Sequence, residues 1–149
     1  MAGSYRAVNY LKEAKMAKIT EEMKGVAGKT KCFAVATATK DGEPHVIPVA
    51  FGKVLSEDEL LVVDVFMKKT LENIKANPKI AVSAWDMESL KGYEFRGSAK
   101  IETSGKVFDE SANMVKSAMP QLSAKGAVIV KVDSIHVRTP GPDAGKEIG

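Results

Sequence analysis

From Tyr93 to Glu102 the chain alternates without a break: Tyr93, Phe95, Gly97, Ala99 and Ile101 interleave with Glu94, Arg96, Ser98, Lys100 and Glu102. A period of two predicts a β-strand with one buried and one wet face. The run CFAVATAT from Cys32 to Thr39 is short, apolar and β-branched, Asp41-Gly42 supplies a tight turn, and HVIPVAF follows, so these segments predict a hairpin. Gly52 to Glu59 reads as a connection. Leu60 to Phe66, Lys79 to Trp85 and about Ala127 to Val137 read as further strands. Between two of them MKKTLENIKANP predicts a short helix closed by Asn77-Pro78, and Phe108, Ala112, Val115 and Met119 form a helical stripe that stops at Pro120. Six strands joined by tight turns or short helices, without βαβ alternation, favour a closed or partly closed antiparallel barrel with helices outside it.

The ends read differently. In residues 1–19, Tyr5, Val8, Leu11, Met16 and Ile19 keep an imperfect helical spacing, which suits either a peripheral helix or a loose arm. Thr20 can N-cap a short helix with Glu21 and Glu22 in its first turn and Gly25 and Gly28 as stops. Residues 20–139 carry the predicted domain. The segment 140–149 has two prolines, three glycines and little to bury, which predicts a flexible tail.

With 149 residues, 44% of them hydrophobic, one domain with a continuous core is expected. Charged residues interrupt every apolar run before membrane-spanning length, and no secretory pattern opens the chain, so a cytoplasmic protein away from membranes is expected. A net charge of +3, spread along the chain, does not call for nucleic acid. One cysteine excludes an internal disulfide, and with only two histidines, His45 and His136, a Cys/His zinc cage is not expected.

Few motifs carry chemistry. Gly25-Val26-Ala27-Gly28-Lys29-Thr30 resembles the end of a phosphate-binding loop, but a helix precedes it where a strand is required. Cys32 lacks a neighbouring histidine, and no Gly-x-Ser-x-Gly elbow occurs. Lys68-Lys69-Thr70 is more informative, because it follows a strand and opens a helix. Free N–H groups, the positive end of the helix dipole, two ammonium groups and a hydroxyl would together suit a phosphate dianion. The plainer reading is two lysines coating a surface turn. Pro48 cannot donate to a ladder and belongs at an edge or bulge, either as edge protection or, with Val49 and Ala50, as a wall against which a flat ring can lie. Trp85 and Tyr93, flanking the connection 86–92, read as barrel packing or as a pocket border.

Taken together, FAVATATKDGEPHVIPVAF, LLVVDVFMKKTLENIKANPKIAVSAW and GYEFRGSAKIE make this chain resemble the pyridoxamine 5′-phosphate oxidase-like family of FMN-binding split barrels. The resemblance runs from about Thr20 to Glu102. It implies a mainly β fold, a six-stranded antiparallel split β-barrel with short flanking helices, and a homodimer with FMN at the subunit interface. It carries the phosphate positions onto Lys69 and Thr70, with Lys68 beside them, lays the isoalloxazine along Pro48, Val49 and Ala50, and passes the ribityl chain by Val65 and Phe66. Gly92 and Tyr93 would reach across to the partner subunit. The C-terminal tryptophan and arginine of true pyridoxamine phosphate oxidases lack a convincing counterpart, since the single tryptophan is Trp85. The expected function is therefore an oxidoreductase or electron carrier, with a nicotinamide nucleotide or a protein as electron donor. A non-catalytic flavin carrier, or a relative binding haem or a deazaflavin, are the alternatives.

Overall fold

The elements, in chain order, are α1 (Glu21–Lys29), β1 (Phe33–Ala38), β2 (Pro44–Val49), β3 (Gly52–Ser56), β4 (Glu59–Asp64), α2 (Lys69–Ala76), β5 (Lys79–Trp85), β6 (Gly92–Glu102), α3 (Lys106–Ala118) and β7 (Gly126–Val137). This computed structural model describes residues 17–149, so the predicted N-terminal arm lies, up to residue 16, outside the described residues. Its last residues are docked: Ala17 and Ile19 are buried, and the Ile19 N–H donates to the Glu57 carbonyl at 2.6 Å.

The strands pair antiparallel in one sheet of seven, ordered β2-β1-β5-β6-β7-β4-β3. The two edge strands, β2 and β3, are nonetheless separated only by Ala50 and Phe51. Three Cα steps reach at most about 11 Å, so the sheet has to curl until its edges nearly meet. A bond from the Val63 N–H to the Phe51 carbonyl, at 2.9 Å, fixes that corner. The result is the split antiparallel barrel, with three short helices among the described residues.

Seven strands stand where six were expected, because Gly52–Ser56 pairs with β4 and is not a connection. Its sequence, GKVLS, contains a glycine, a lysine and a serine, and it is half exposed at an edge, so it has neither alternation nor a dense apolar run to announce it. The continuous apolar run of β4 has the opposite explanation. Leu60 and Val62 face the barrel interior with Val35, Val82, Phe95, Val128 and Val130, while Leu61 and Val63 face an outer cluster with Val115 of α3 and Ala127. A strand buried on both faces has no polar side to alternate.

Thr20 caps α1 as expected: its hydroxyl accepts the Met23 N–H at 3.3 Å, and the helix runs past Gly28 to Lys29. The packed face of α3 is turned from the predicted stripe, with Val107, Met114 and Val115 against the sheet and Ser111 fully buried among them. The Ser111 hydroxyl donates to the Val107 carbonyl at 2.8 Å, which satisfies the polar group inside that face. The segment 140–149 also departs from expectation. It turns back along β7, where the Val137 N–H donates to the Lys146 carbonyl at 2.8 Å and the Ile135 N–H to the Gly149 carbonyl at 2.9 Å. Backbone pairing, which composition does not report, gives this stretch its place.

Candidate functional site

The edge position of β2 accounts for Pro48. It pairs with Ala34 of β1 on one side, and its missing N–H falls on the side without a neighbouring strand. Beyond it the chain bends through Ala50 and Phe51 into β3, and at this bend a cavity of about 360 Å³ opens. Pro48, Val49, Ala50, Val65 and Phe66, five of the residues singled out in the sequence, all line it. Ile47, Phe51, Val63, Met119 and Leu122 complete the lining. Every side chain in this set is hydrocarbon or thioether, and the volume lies at the lower end of the roughly 300–1,000 Å³ common for ligand pockets.

Lys68, Lys69 and Thr70 do not line the cavity but follow directly from its wall, since Phe66 precedes Lys68 by two residues. The turn between them is shaped by Asp64, which is 2% exposed and accepts the Met67 N–H on Oδ1 at 2.8 Å. Lys68 occupies the N-cap position of α2 without a side-chain cap, so the first N–H groups of the helix are left to outside acceptors. Both lysines are exposed; Lys69 has Glu72 at 3.8 Å. Thr70 is 1% exposed, and its Oγ1 is the one buried side-chain N or O atom without a hydrogen-bond partner among the described residues. An unpaired buried hydroxyl beside uncapped N–H groups and two ammonium groups is what a phosphate dianion would satisfy. Helix α2 is held to the sheet behind this turn: Asn73, 2% exposed, donates to the Thr37 hydroxyl at 3.0 Å, and Asn77 donates to the Ala38 carbonyl at 3.4 Å.

Other candidates lie apart. Gly92 and Tyr93 begin β6 and border surface hollows near 138–143, away from the apolar cavity; burial pushes the Tyr93 phenol up. Trp85 ends β5, half-buried. The phosphate-loop look-alike is a helix terminus: the Thr30 hydroxyl donates to the Val26 carbonyl at 2.8 Å and to the Trp85 carbonyl at 3.1 Å. His136 pairs with Ser134 at 3.2 Å, and Cys32 stands just before β1. No group of three or more His, Cys, Asp or Glu suited to a metal ion occurs among the described residues, and no described helix is long and apolar enough to cross a membrane.

Sequence reasoning missed Met119 and Leu122. They sit past the end of α3, more than fifty residues along the chain from Val65, and only the packing of α3 outside β4 and β7 brings them to the cavity. Proline at 120 marked the helix end but not what the turn faces.

The fold is a split barrel, with an apolar cleft at its corner and a basic helix terminus close by in the chain. Comparison with known proteins gives the family: the chain belongs to the pyridoxamine 5′-phosphate oxidase family, whose model matches residues 19–139. It is 38% identical over 133 residues, 88% of each chain, to an uncharacterized protein of Methanocaldococcus jannaschii. Among solved structures it is similar to HupZ of Group A Streptococcus, with 28% identity, a TM-score of 0.73, and coverage of 85% of this chain and 99% of that one. An FMN-binding protein from Syntrophomonas wolfei shares the fold at 11% identity, with a TM-score of 0.66 and coverage of 91% and 95%.

Proposed function

We propose that this chain is an FMN-binding oxidoreductase or electron carrier, acting as a homodimer. The observation that carries the reading is the junction of two unlike surfaces. A cavity lined by apolar side chains continues within a few residues along the chain into an uncapped helix terminus with two lysines and the unpaired Thr70 hydroxyl. A ring joined to a terminal phosphate by a polar chain matches both surfaces at once; a free phosphate or an apolar ligand matches one.

In this role the bound flavin supplies hydride or electron transfer, and the chain supplies binding, orientation and exclusion of water. Pro48, Val49 and Ala50 present backbone and small apolar surface to the ring. Lys68, Lys69 and Thr70 hold the phosphate, with Asp64 fixing the turn that presents them.

Space supports the homodimer. Val35, Val82, Phe95, Val128, Val130 and Val132 fill the barrel interior and are fully buried, so a ring has to lie on the outside. At the cavity mouth Phe66 is 74% exposed, an apolar surface that a second subunit would cover.

The test is the absorption spectrum of the purified protein, followed by titration with FMN and riboflavin and by sedimentation at micromolar concentration. Flavin bands, a clear preference for FMN and a dimer are expected. Equal affinity for riboflavin would remove the phosphate site from the argument, and a monomer with tightly held flavin would remove the dimer. Reduction of the bound flavin by a nicotinamide nucleotide separates an enzyme from a passive carrier.

A further inference from the structure

We infer that Met119 and Leu122, on the turn between α3 and β7, form a selectivity wall that accepts the methylated benzenoid edge of the flavin and rejects a ring bearing a hydroxyl there. The inference rests on the flavin reading above and assigns the ring's orientation as well as its type. The two edges of an isoalloxazine differ chemically: the pyrimidine edge carries carbonyl oxygens and an N–H, whereas the benzenoid edge carries two methyl groups and needs no hydrogen bonds. The side chains of Ile47, Val49, Phe51, Val63, Met119 and Leu122 bring no hydroxyl, amide or charge to the cavity. Polar atoms of a ligand placed among them would lose water without gaining a partner, so the methylated edge is the one that enters. The pyrimidine edge is then left toward the backbone of the β2 edge and the open side.

This wall is rigid enough to discriminate. The Met119 N–H donates to the Val115 carbonyl at 2.8 Å, the Leu122 N–H to the Met119 carbonyl at 2.9 Å, and the Lys125 N–H to the Asp64 carbonyl at 2.7 Å. The turn is thus tied to α3 at one end and to β4 at the other. Asp64 holds both sides of the site, since its side chain also accepts the Met67 N–H on the turn that leads to Lys68. A loop without such ties could withdraw and let water follow a hydroxyl into the cavity. Met119 is 40% exposed and therefore stands at the mouth, and Leu122 is half-buried behind it.

The experiment compares FMN with 7,8-didemethyl-8-hydroxy-5-deazaflavin 5′-phosphate, which keeps the ribityl phosphate, so that differences report the ring. The native protein is expected to bind FMN about 10- to 100-fold more tightly, the discrimination a hydrophobic pocket exerts against an added hydroxyl. Leu122→Asn is expected to narrow that ratio at least fivefold. Met119→Gln, nearly isosteric and at an exposed position, should narrow it in the same direction and serves if the first variant unfolds. Tight FMN binding with an unchanged ratio in both variants overturns the wall and leaves the flavin reading standing, as does a native ratio near one. Failure of the native protein to bind either compound overturns both.

Discussion

Asp64 and Met67 are joined by one buried hydrogen bond, the Met67 N–H donating to Asp64 Oδ1 at 2.8 Å, and this bond sets the angle at which the chain leaves β4 for the basic turn. Both residues are under 10% exposed, so water cannot take over either role.

Asp64→Ala should therefore cost about 1–3 kcal/mol of stability, the penalty for stranding a buried donor. Asp64→Asn keeps an acceptor and should recover most of it. Urea unfolding of the pair measures the difference, and equal stability of the alanine and asparagine variants would contradict the assignment. FMN affinity should fall with alanine, because the turn carrying Lys68 and Lys69 loses its support.

Lys69→Ala isolates the phosphate contact. Its side chain is about half exposed, with Glu72 at 3.8 Å, so the fold has little stake in it. FMN binding should weaken by about 1.5–3 kcal/mol, the range for a hydrogen bond to a charged group, while riboflavin binding stays the same. An unchanged FMN dissociation constant would mean that the lysine only coats the surface.

At Gly97 the constraint is steric. The pairing of β6 with β7 shifts register between Arg96 and Gly97, and a Cβ on Gly97 would lie 1.7 Å from the Lys131 carbonyl oxygen. Both neighbours are central strands that cannot move apart without breaking their ladder. Gly97→Ala should destabilise by the upper part of about 1–3 kcal/mol or prevent folding. A variant as stable as the parent in thermal unfolding would show that the bulge relaxes freely.

What the residues disclosed in advance depended on how locally each feature is encoded. Strand β6 was legible because one buried face writes a strict alternation, and the Lys68-Lys69-Thr70 turn because strand, cations and helix are consecutive. Edge strand β3 was not, since its pairing with β4 is a tertiary fact that GKVLS does not express. The apolar wall of the cavity was half legible: Pro48 to Ala50 stood out and Val65 and Phe66 came with the family resemblance, whereas Met119 and Leu122 arrive only through the docking of α3. The phase of α3 was misread because Ser111, polar in composition, is buried and bonded to Val107.

Acid sensitivity should trace in part to Glu94. Its side chain is 14% exposed and lies between two guanidinium groups; the Arg96 guanidinium, and after it that of Arg138, hold the carboxyl below its ordinary value. A carboxylate depressed in the folded state contributes stability that is complete above its unfolded value and disappears as pH falls through the folded one. The loss thus begins near pH 4.5, the ordinary value for this group, and continues below it. Asp58 and Asp86 shift in the same direction and add to the limb. Glu94→Gln should flatten the fall in melting temperature between about pH 5 and pH 3 relative to the parent. An identical acid limb would remove Glu94 from the account.

The C-terminal segment gives the sharpest contrast between composition and structure. Its prolines and glycines predict that deleting residues 141–149 changes little. Yet the Ile148 N–H donates to the Ile135 carbonyl at 2.8 Å and the Gly145 N–H to the Val137 carbonyl at 2.7 Å, beside the two bonds already described from Ile135 and Val137. Ile135 is fully buried, and Gly149 lies against its side chain. The entropy of ordering the segment offsets much of what its hydrogen bonds and the covered isoleucine return. The deletion should therefore cost only about 1–2 kcal/mol, a fall of a few degrees in melting temperature. It should also raise amide exchange at Ile135 and Val137, whose donors lose their acceptors. FMN affinity should be preserved, because the cavity at the β2–β3 corner includes none of these residues. Unchanged exchange at both amides would return the segment to the flexible tail its composition suggests.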